Sequence, residues 1–182
     1  MSTRRTILIA PIGEISDWIL EAVAFGVNEA FDLDTRILSL FNNIDFAWDP
    51  GRKQYHSTQI LEALETHAPD DILKVIGITR EDLFIPVLTY VYGEAQLGGT
   101  AALISISRLV QGLDTGFLQS SYKRIIKEAV HELGHTFNLR HCRDELCMMH
   151  YCRSLEDVDK KSSRFCRYCN IMIADAIRDL GV

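Results

Sequence analysis

His131-Glu132-Leu133-Gly134-His135 sets two imidazoles four residues apart with a carboxylate beside the first. On a helix that spacing turns both rings to one face. Two such nitrogens can share a single tetrahedral zinc at about 2.0–2.1 Å each. Glu132 lies about 100° round the helix from His131, off the metal but within reach of a water on it. Catalytic zinc needs a third protein ligand and keeps its fourth position open. His141, six residues after His135, is the candidate. For it to return, the helix must stop and the chain must turn. Asn138 sits at that point, and asparagine tolerates the left-handed conformation such a stop requires.

The ligand-rich stretch continues. All five cysteines and four of the six histidines fall between residues 131 and 169, and upstream there are only His56 and His67. Cys142, Cys147, Cys166 and Cys169 have the spacing of a closed structural zinc site made of four thiolates. Cys166-x-x-Cys169 opens a C-terminal helical pattern, whose first amides favour thiolates. Cys142, Cys147 and Cys152 are evenly spaced by five, so the spacing alone permits Cys152 to stand in for one of them. A redox dithiol at Cys166 and Cys169 is the rival use of that pair. His150 reads as a surface residue. Two zinc ions are therefore expected, one held by three histidines and one by four cysteines. They meet at the His141–Cys142 peptide unit, where the closed site would hold the third ligand of the open one.

Residues 131–141 resemble the metzincin signature of zinc peptidases, HExxHxxGxxH. With Cys142, Cys147, Met149 and Cys166-x-x-Cys169 the stretch resembles the extended signature of the archaemetzincins, which favours Cys142 and Cys147 over Cys152. The resemblance is most specific over 131–169 and extends weakly upstream to Gly98-Gly99-Thr100. It implies a zincin-like fold and peptide-bond hydrolysis, with Glu132 taking a proton from water and passing it to the leaving amine. Small peptides and aminopeptidase-like cleavage come with it. Met149 would be the methionine packed beneath the zinc ligands, and Tyr151, two residues on, would reach the zinc and stabilise the oxyanion. An edge strand binding extended peptide antiparallel is also implied, and Ala101 to Ile106 is assigned to it. Asn138 departs from the family's glycine, and slack there would lower activity.

The scaffold is read from apolar periods. Arg5 to Pro11 is a first strand. Ile19, Val23, Val27 and Phe31 recur every four residues, a helix over Asp17 to Phe31. Thr35 to Leu40 is a second strand, and 41–57, with no period, a surface loop. Thr58 to His67 is a helix and Lys74 to Thr79 a third strand. This alternation predicts a mainly parallel sheet. Val87 to Tyr92 and Ala101 to Ile106 are further β-type runs, with Gly98-Gly99 between them. A long helix, capped by Ser120 or Ser121, carries Ile125, Ala129, Leu133 and Phe137 inward along with the HExxH residues. Residues 142–164 are irregular, and Tyr168 to Leu180 is a final helix. The fold class is thus α/β (α+β, zincin-like), a single metzincin-like catalytic domain over 1–182. Its upper part, 1–141, holds a twisted, mostly parallel sheet, an antiparallel edge strand and the active-site helix. Its lower part, 142–182, is clipped by zinc and ends in a helix.

Composition narrows the partners. The chain has 182 residues, 47% of them hydrophobic, and a net charge of −6, which disfavours nucleic acid. No apolar run reaches the length of a membrane span. The basic start before Ile7-Leu8-Ile9-Ala10 faintly resembles a signal peptide, but Pro11, Glu14 and Asp17 end the run at once, and a core strand is the reading. Cysteines without such a signal point to the cytoplasm and to metal thiolates. A monomer acting on a peptide substrate is expected. The alternative is a zinc-binding protein with weak or no peptidase activity that acts through interactions.

Overall fold

Alternation along the strands divides the core in two. In the computed structural model, which describes residues 6–110 and 118–181 with the side chains of 118–121 excepted, the central sheet has five strands. They are β1 (Thr6–Ile12), β2 (Asp34–Ile37), β5 (Lys74–Thr79), β7 (Gly93–Ala95) and β8 (Ala101–Ser105), in the order β2-β1-β5-β8-β7. All pairings are parallel except β7–β8. Ile7, Ile9, Ile76, Ile78, Ala102 and Ile104 point to one face. There they meet α1 (Asp17–Phe31) and α3 (Leu118–Thr136). Leu8, Ala10, Val75 and Leu103 point to the other, against Ile60, Leu61 and Leu64 of α2 (Ser57–His67). Successive strand residues face opposite ways, so a sheet with helices on both sides reads as continuous apolar runs.

The sequence expectations for β1, α1, α2, β5 and the last helix, α5 (Arg167–Asp179), agree with the structure to within two residues at each end. The second strand ends earlier than expected, at Ile37. The cap expected at Ser120 or Ser121 rests on side chains outside the described residues. Among the described residues no helix is long and apolar enough to cross a membrane.

Three expectations are corrected. Segment 41–57 is not only a loop. It holds a 3-10 turn (Asp45–Ala47), β3 (Trp48–Asp49) and β4 (Gln54–His56), which form a second sheet with β6 (Leu83–Phe84) in the order β3-β4-β6. Strands of two or three residues are too short to carry a period. Val87–Tyr92 forms no strand. Only Val91 bridges, to Leu83, and the strand follows at β7. Ala101–Ile106 is not the edge. β8 lies between β5 and β7 with all five residues buried, and the free edge belongs to β7. Its apolar residues on both faces are those of an inner strand. Within the irregular 142–164 segment a short helix, α4 (Leu155–Lys160), starts from a Ser154–Asp157 capping box.

α3 is nearly encircled. The sheet and α1 cover its apolar side, and the chain after residue 141 covers the other. From Arg124 onward its buried residues include Arg124, Lys127, Glu128, His131 and Glu132. Arg124 holds Asp159 through two bonds of 2.7 and 2.6 Å. Lys127 Nζ donates to the carbonyls of Val158 and Asp159 at 2.9 and 3.1 Å. These contacts seat α4 against the helix that carries the HExxH residues.

Candidate metal centre

His131 and His135 project from the last two turns of α3, and the helix closes just after them. Leu139 N–H donates to Gly134 O at 3.1 Å and Asn138 N–H to His135 O at 2.9 Å. Asn138 has φ 66. Those two bonds and the left-handed residue make a Schellman closure, a position usually held by glycine. The chain reverses and His141 comes back over the helix, its ring 5.3 Å from that of His131 and 4.8 Å from that of His135.

The candidate ligand atoms of the three histidines lie within 4.8 Å of one another. His131 Nε2 and His135 Nε2 are 3.3 Å apart. Two nitrogens at about 2.0–2.1 Å from one tetrahedral zinc stand roughly 3.3–3.4 Å apart, so the donor set fits that ion. The other ring nitrogen is engaged in both helix histidines. His131 Nδ1 donates to Met148 O at 2.9 Å and His135 Nδ1 to Leu139 O at 2.7 Å. This fixes the tautomer that leaves Nε2 free. Burial lowers the pKa of all three imidazoles, furthest at His131, where Lys161 adds to the effect. Neutral imidazole is the form that ligates.

Met149 is fully buried beneath this group. A Cβ at Gly134 would stand 2.4 Å from its sulfur, so the helix needs glycine where the thioether packs. Tyr151 is 46% exposed, with its ring 4.9 Å from that of His141. It stands at the rim, beside the histidines.

Glu132 is buried under the edge strand. A Cβ on Gly93 would come within 2.7 Å of Glu132 Cγ and 3.0 Å of its Cδ. Burial pushes the Glu132 carboxyl well above the usual carboxylate range, and the neighbouring Glu128 pushes it further. Burial also raises Glu128. A cavity of about 420 Å³ opens here. It is lined by the three histidines and Glu132, and by loop residues such as Leu88 and Tyr92. Glu94, on β7, also lines it, and its carboxylate accepts from the hydroxyls of Ser57 and Thr58 at the start of α2.

The four expected cysteines converge next to His141. Cys142, Cys147, Cys166 and Cys169 have their sulfurs within 4.8 Å of one another. Cys142 Sγ and Cys166 Sγ are 3.8 Å apart. That is far beyond the roughly 2.05 Å of a disulfide. It matches the roughly 3.8 Å between two sulfurs on a zinc with bonds of about 2.3 Å. Cys147 Sγ accepts from the amides of Cys166 and Met149 at 3.3 and 3.5 Å. Burial raises Cys147, and burial with the adjacent thiols raises Cys169 strongly. Burial also acts upward on Cys166, but hydrogen bonds from Cys169 and its neighbours outweigh it and bring that thiol down. Four thiolates so close repel one another, and a cation among them removes the penalty. Cys152 stands apart, its thiol on His150 O at 3.6 Å. His150 Nδ1 contacts Cys142 O at 3.2 Å and belongs to neither set.

Sequence reasoning missed Glu128, Lys161 and Gly93. Glu128 had a signal, since it lies three residues before His131 on the same helix face. Lys161 and Gly93 reach the site only through the tertiary fold.

The chain matches the family model described as Peptidase family M54 over residues 34–175. It is 38% identical over 167 residues to the archaemetzincin of Methanocaldococcus jannaschii, covering 90% of this chain and 89% of that one. With the archaemetzincin of Archaeoglobus fulgidus the identity is 33% over 163 residues, covering 90% and 95%. The crystal structure of the Methanopyrus kandleri archaemetzincin superposes with a TM-score of 0.84 at 30% identity, covering 97% of each chain. The malonate complex of the Archaeoglobus fulgidus protein gives a TM-score of 0.79 at 32% identity, covering 92% of this chain and 99% of that one.

Proposed function

Since the chain belongs to Peptidase family M54 and is a zinc metallopeptidase of the archaemetzincin kind, we propose that His131, His135 and His141 hold its catalytic zinc and that Glu132 is the general base. A second zinc, on Cys142, Cys147, Cys166 and Cys169, has a structural purpose in this reading. It clips 142–182 onto the part of the chain that ends at His141. The observation that carries the proposal is the 3.3 Å approach of two Nε2 atoms whose opposite nitrogens already donate to carbonyls.

Zinc, once held by the three histidines, would supply a Lewis acid to polarise the scissile carbonyl and activate the attacking water. The chain's own residues do the rest. Glu132, held against Gly93, takes a proton and returns it to the leaving amine. Its upward pKa shift suits a group that must release the proton again. Tyr151, beside His141 at the rim, donates to the developing oxyanion. The free edge of β7 borders the cavity, so an extended peptide can add to the sheet there. Glu94 would meet a free amino terminus, the feature an aminopeptidase-like cleavage needs. Asn138, where the family has glycine, is one of the grounds for the non-catalytic alternative, beside the lack of a visible propeptide or secretion signal. With φ 66 and both closing bonds made, the turn forms with asparagine and that support falls away.

Glu132→Gln keeps volume and removes the base. It is expected to lower kcat for a cleaved peptide by at least about 100-fold with zinc content unchanged. Activity near wild type in that variant would remove Glu132 from the chemistry. Assaying N-acetylated against free peptides reads the aminopeptidase component, since acetylation abolishes cleavage if a free amine is required.

A further inference from the structure

The cavity continues behind the His131 ring. There it reaches two charged residues that the hydrolytic step does not use, Glu128 from α3 and Lys161 from the chain just after α4. Both are deeply buried, with 6% and 1% of their surface exposed. They face each other at 3.8 Å, from Glu128 Oε2 to Lys161 Nζ, which is beyond hydrogen-bond length. Glu128 Oε2 is buried and has no hydrogen-bond partner. Lys161 Nζ brings three donors. It hydrogen-bonds the Cys152 sulfur, a weak acceptor, and stands 3.5 Å from His131 Nδ1, a nitrogen whose own proton goes to Met148 O. The two groups attract each other at a distance. The Glu128 carboxylate is engaged on its Glu132 side, its Oε2 has no hydrogen-bond partner, and the Lys161 ammonium has only a thiol and a long contact to a ring nitrogen. A buried pair in that condition bears its desolvation cost without full return.

The pair selects what could relieve it. An acidic side chain would suit Lys161 but would lie against Glu128 and Glu132. A basic one would suit the carboxylates but would lie against Lys161. An apolar one would seal off both charges with no partner for either. A primary carboxamide carries one acceptor and two donors at a single end and no charge.

We propose that the deep end of the cavity is a subsite for a carboxamide side chain. The substrate would carry glutamine or asparagine next to the cleaved bond, its carbonyl accepting from Lys161 Nζ and its amide donating to Glu128 Oε2. This rests on reading the histidine site as a peptidase centre. It adds a substrate class, peptides with an amide-bearing residue at one side of the scissile bond.

The test uses the zinc-loaded full chain and a cleaved library peptide remade with Gln, Glu, Lys or Met at each residue flanking the cut. At one of the two positions Gln is expected to exceed the other three in kcat/KM by at least about tenfold, because a site built for hydrogen bonds rejects analogues that leave it unpaired. The double variant Glu128→Met with Lys161→Met gives an apolar floor of similar volume, a replacement that buried ion pairs tolerate. There the preference is expected to pass from Gln to Met. Preference is a ratio within one enzyme, so any general loss of activity cancels. Equal cleavage of the four peptides by wild type overturns the proposal, whether or not the double variant folds. So does a double variant that keeps the Gln preference. If zinc-loaded wild type cleaves no peptide at all, the peptidase reading itself falls, which is a different result from cleavage without preference.

Discussion

Gly93 has no side chain where one would begin inside Glu132. A methyl group there would lie 2.7 Å from Glu132 Cγ and 2.7 Å from the Leu103 carbonyl oxygen on β8. The carboxylate must therefore move or β7 must lift. Displacements of about 1 Å in a reacting group cost on the order of 100-fold in rate. Gly93→Ala is accordingly expected to reduce kcat by about 10- to 100-fold. All three histidines remain on α3 and the turn after it, so zinc content should stay at the wild-type level, and metal analysis beside steady-state kinetics checks both. Unchanged kcat would show that Glu132 is not seated by the edge strand. The contrast between Gly93 and the histidines explains what could be read from the residues alone. His131, His135 and His141 lie within eleven residues on a helix and its closing turn, so the helical period and one left-handed residue relate them. Gly93 and Lys161 lie 39 and 29 residues from Glu132 along the chain. No local period connects them, and their place is set by the pairing of β7 with β8 and by α4 packing on α3.

α3 must be held at its C-terminal end for the two helix histidines to keep their angle, and Lys74 does much of this. It opens the central strand β5, is 5% exposed, and donates from Nζ to Gly99 O at 2.7 Å and Thr136 O at 2.8 Å. It thus ties the last residue of α3 to the turn before β8, with its ammonium 5.0 Å over the Phe137 ring. Lys74→Met would leave two carbonyls without their donor, at a cost of about 1–3 kcal/mol near neutrality. Burial lowers the Lys74 pKa from 10.5 to about 8. Between those values the unfolded chain holds a proton that the folded protein has released, so this residue's contribution to stability rises with pH across that window. The stability gap between wild type and Lys74→Met is expected to widen from pH 8 to pH 10, measured by denaturant titration at each pH. A gap that is flat in pH would mean that the ammonium stays charged. The long helices were legible because each repeats its period several times, and β1 and β5 because they are continuous apolar runs. The strands of the small sheet were not, and the misplaced edge has a related cause. Ala101–Ile106 is assigned to the edge on the glycine pair before it and on the family resemblance, whereas the fact that decides its place is that β7 pairs outside it, a long-range fact.

At the scale of the molecule, the two candidate metal sites are joined rather than merely adjacent. His141 and Cys142 share a peptide unit, and Cys142 N–H donates to Met149 O at 2.8 Å while the Met148 carbonyl orients His131. The segment 142–181 therefore contributes to the histidine site three times, through the backbone following His141, through the Met148 carbonyl and through Met149 beneath Gly134. Its own anchors are Arg124 and Lys127 of α3, which hold α4, and the cluster of four sulfurs that joins Cys142 and Cys147 to the start of α5. Ordering a loop of this length without a metal is entropically costly. If the sulfur site holds a structural zinc, its loss must weaken the histidine site; the coupling is reciprocal, but a closed four-thiolate site binds tightly enough to stay filled when the histidine site is empty. Cys166→Ser with Cys169→Ser is expected to lower the melting temperature by about 5 °C or more, since 1 kcal/mol moves a domain of this size by about 2–4 °C. It should also reduce zinc affinity at the histidines by at least about tenfold, the usual scale for losing an orienting partner. His141→Ala is expected to lose one zinc and keep the other, with the melting temperature little changed. Metal content by mass spectrometry and thermal unfolding on the same samples separate the cases. Full zinc affinity at the histidines in the double serine variant would make the two sites independent, and the shared peptide unit would then carry no coupling.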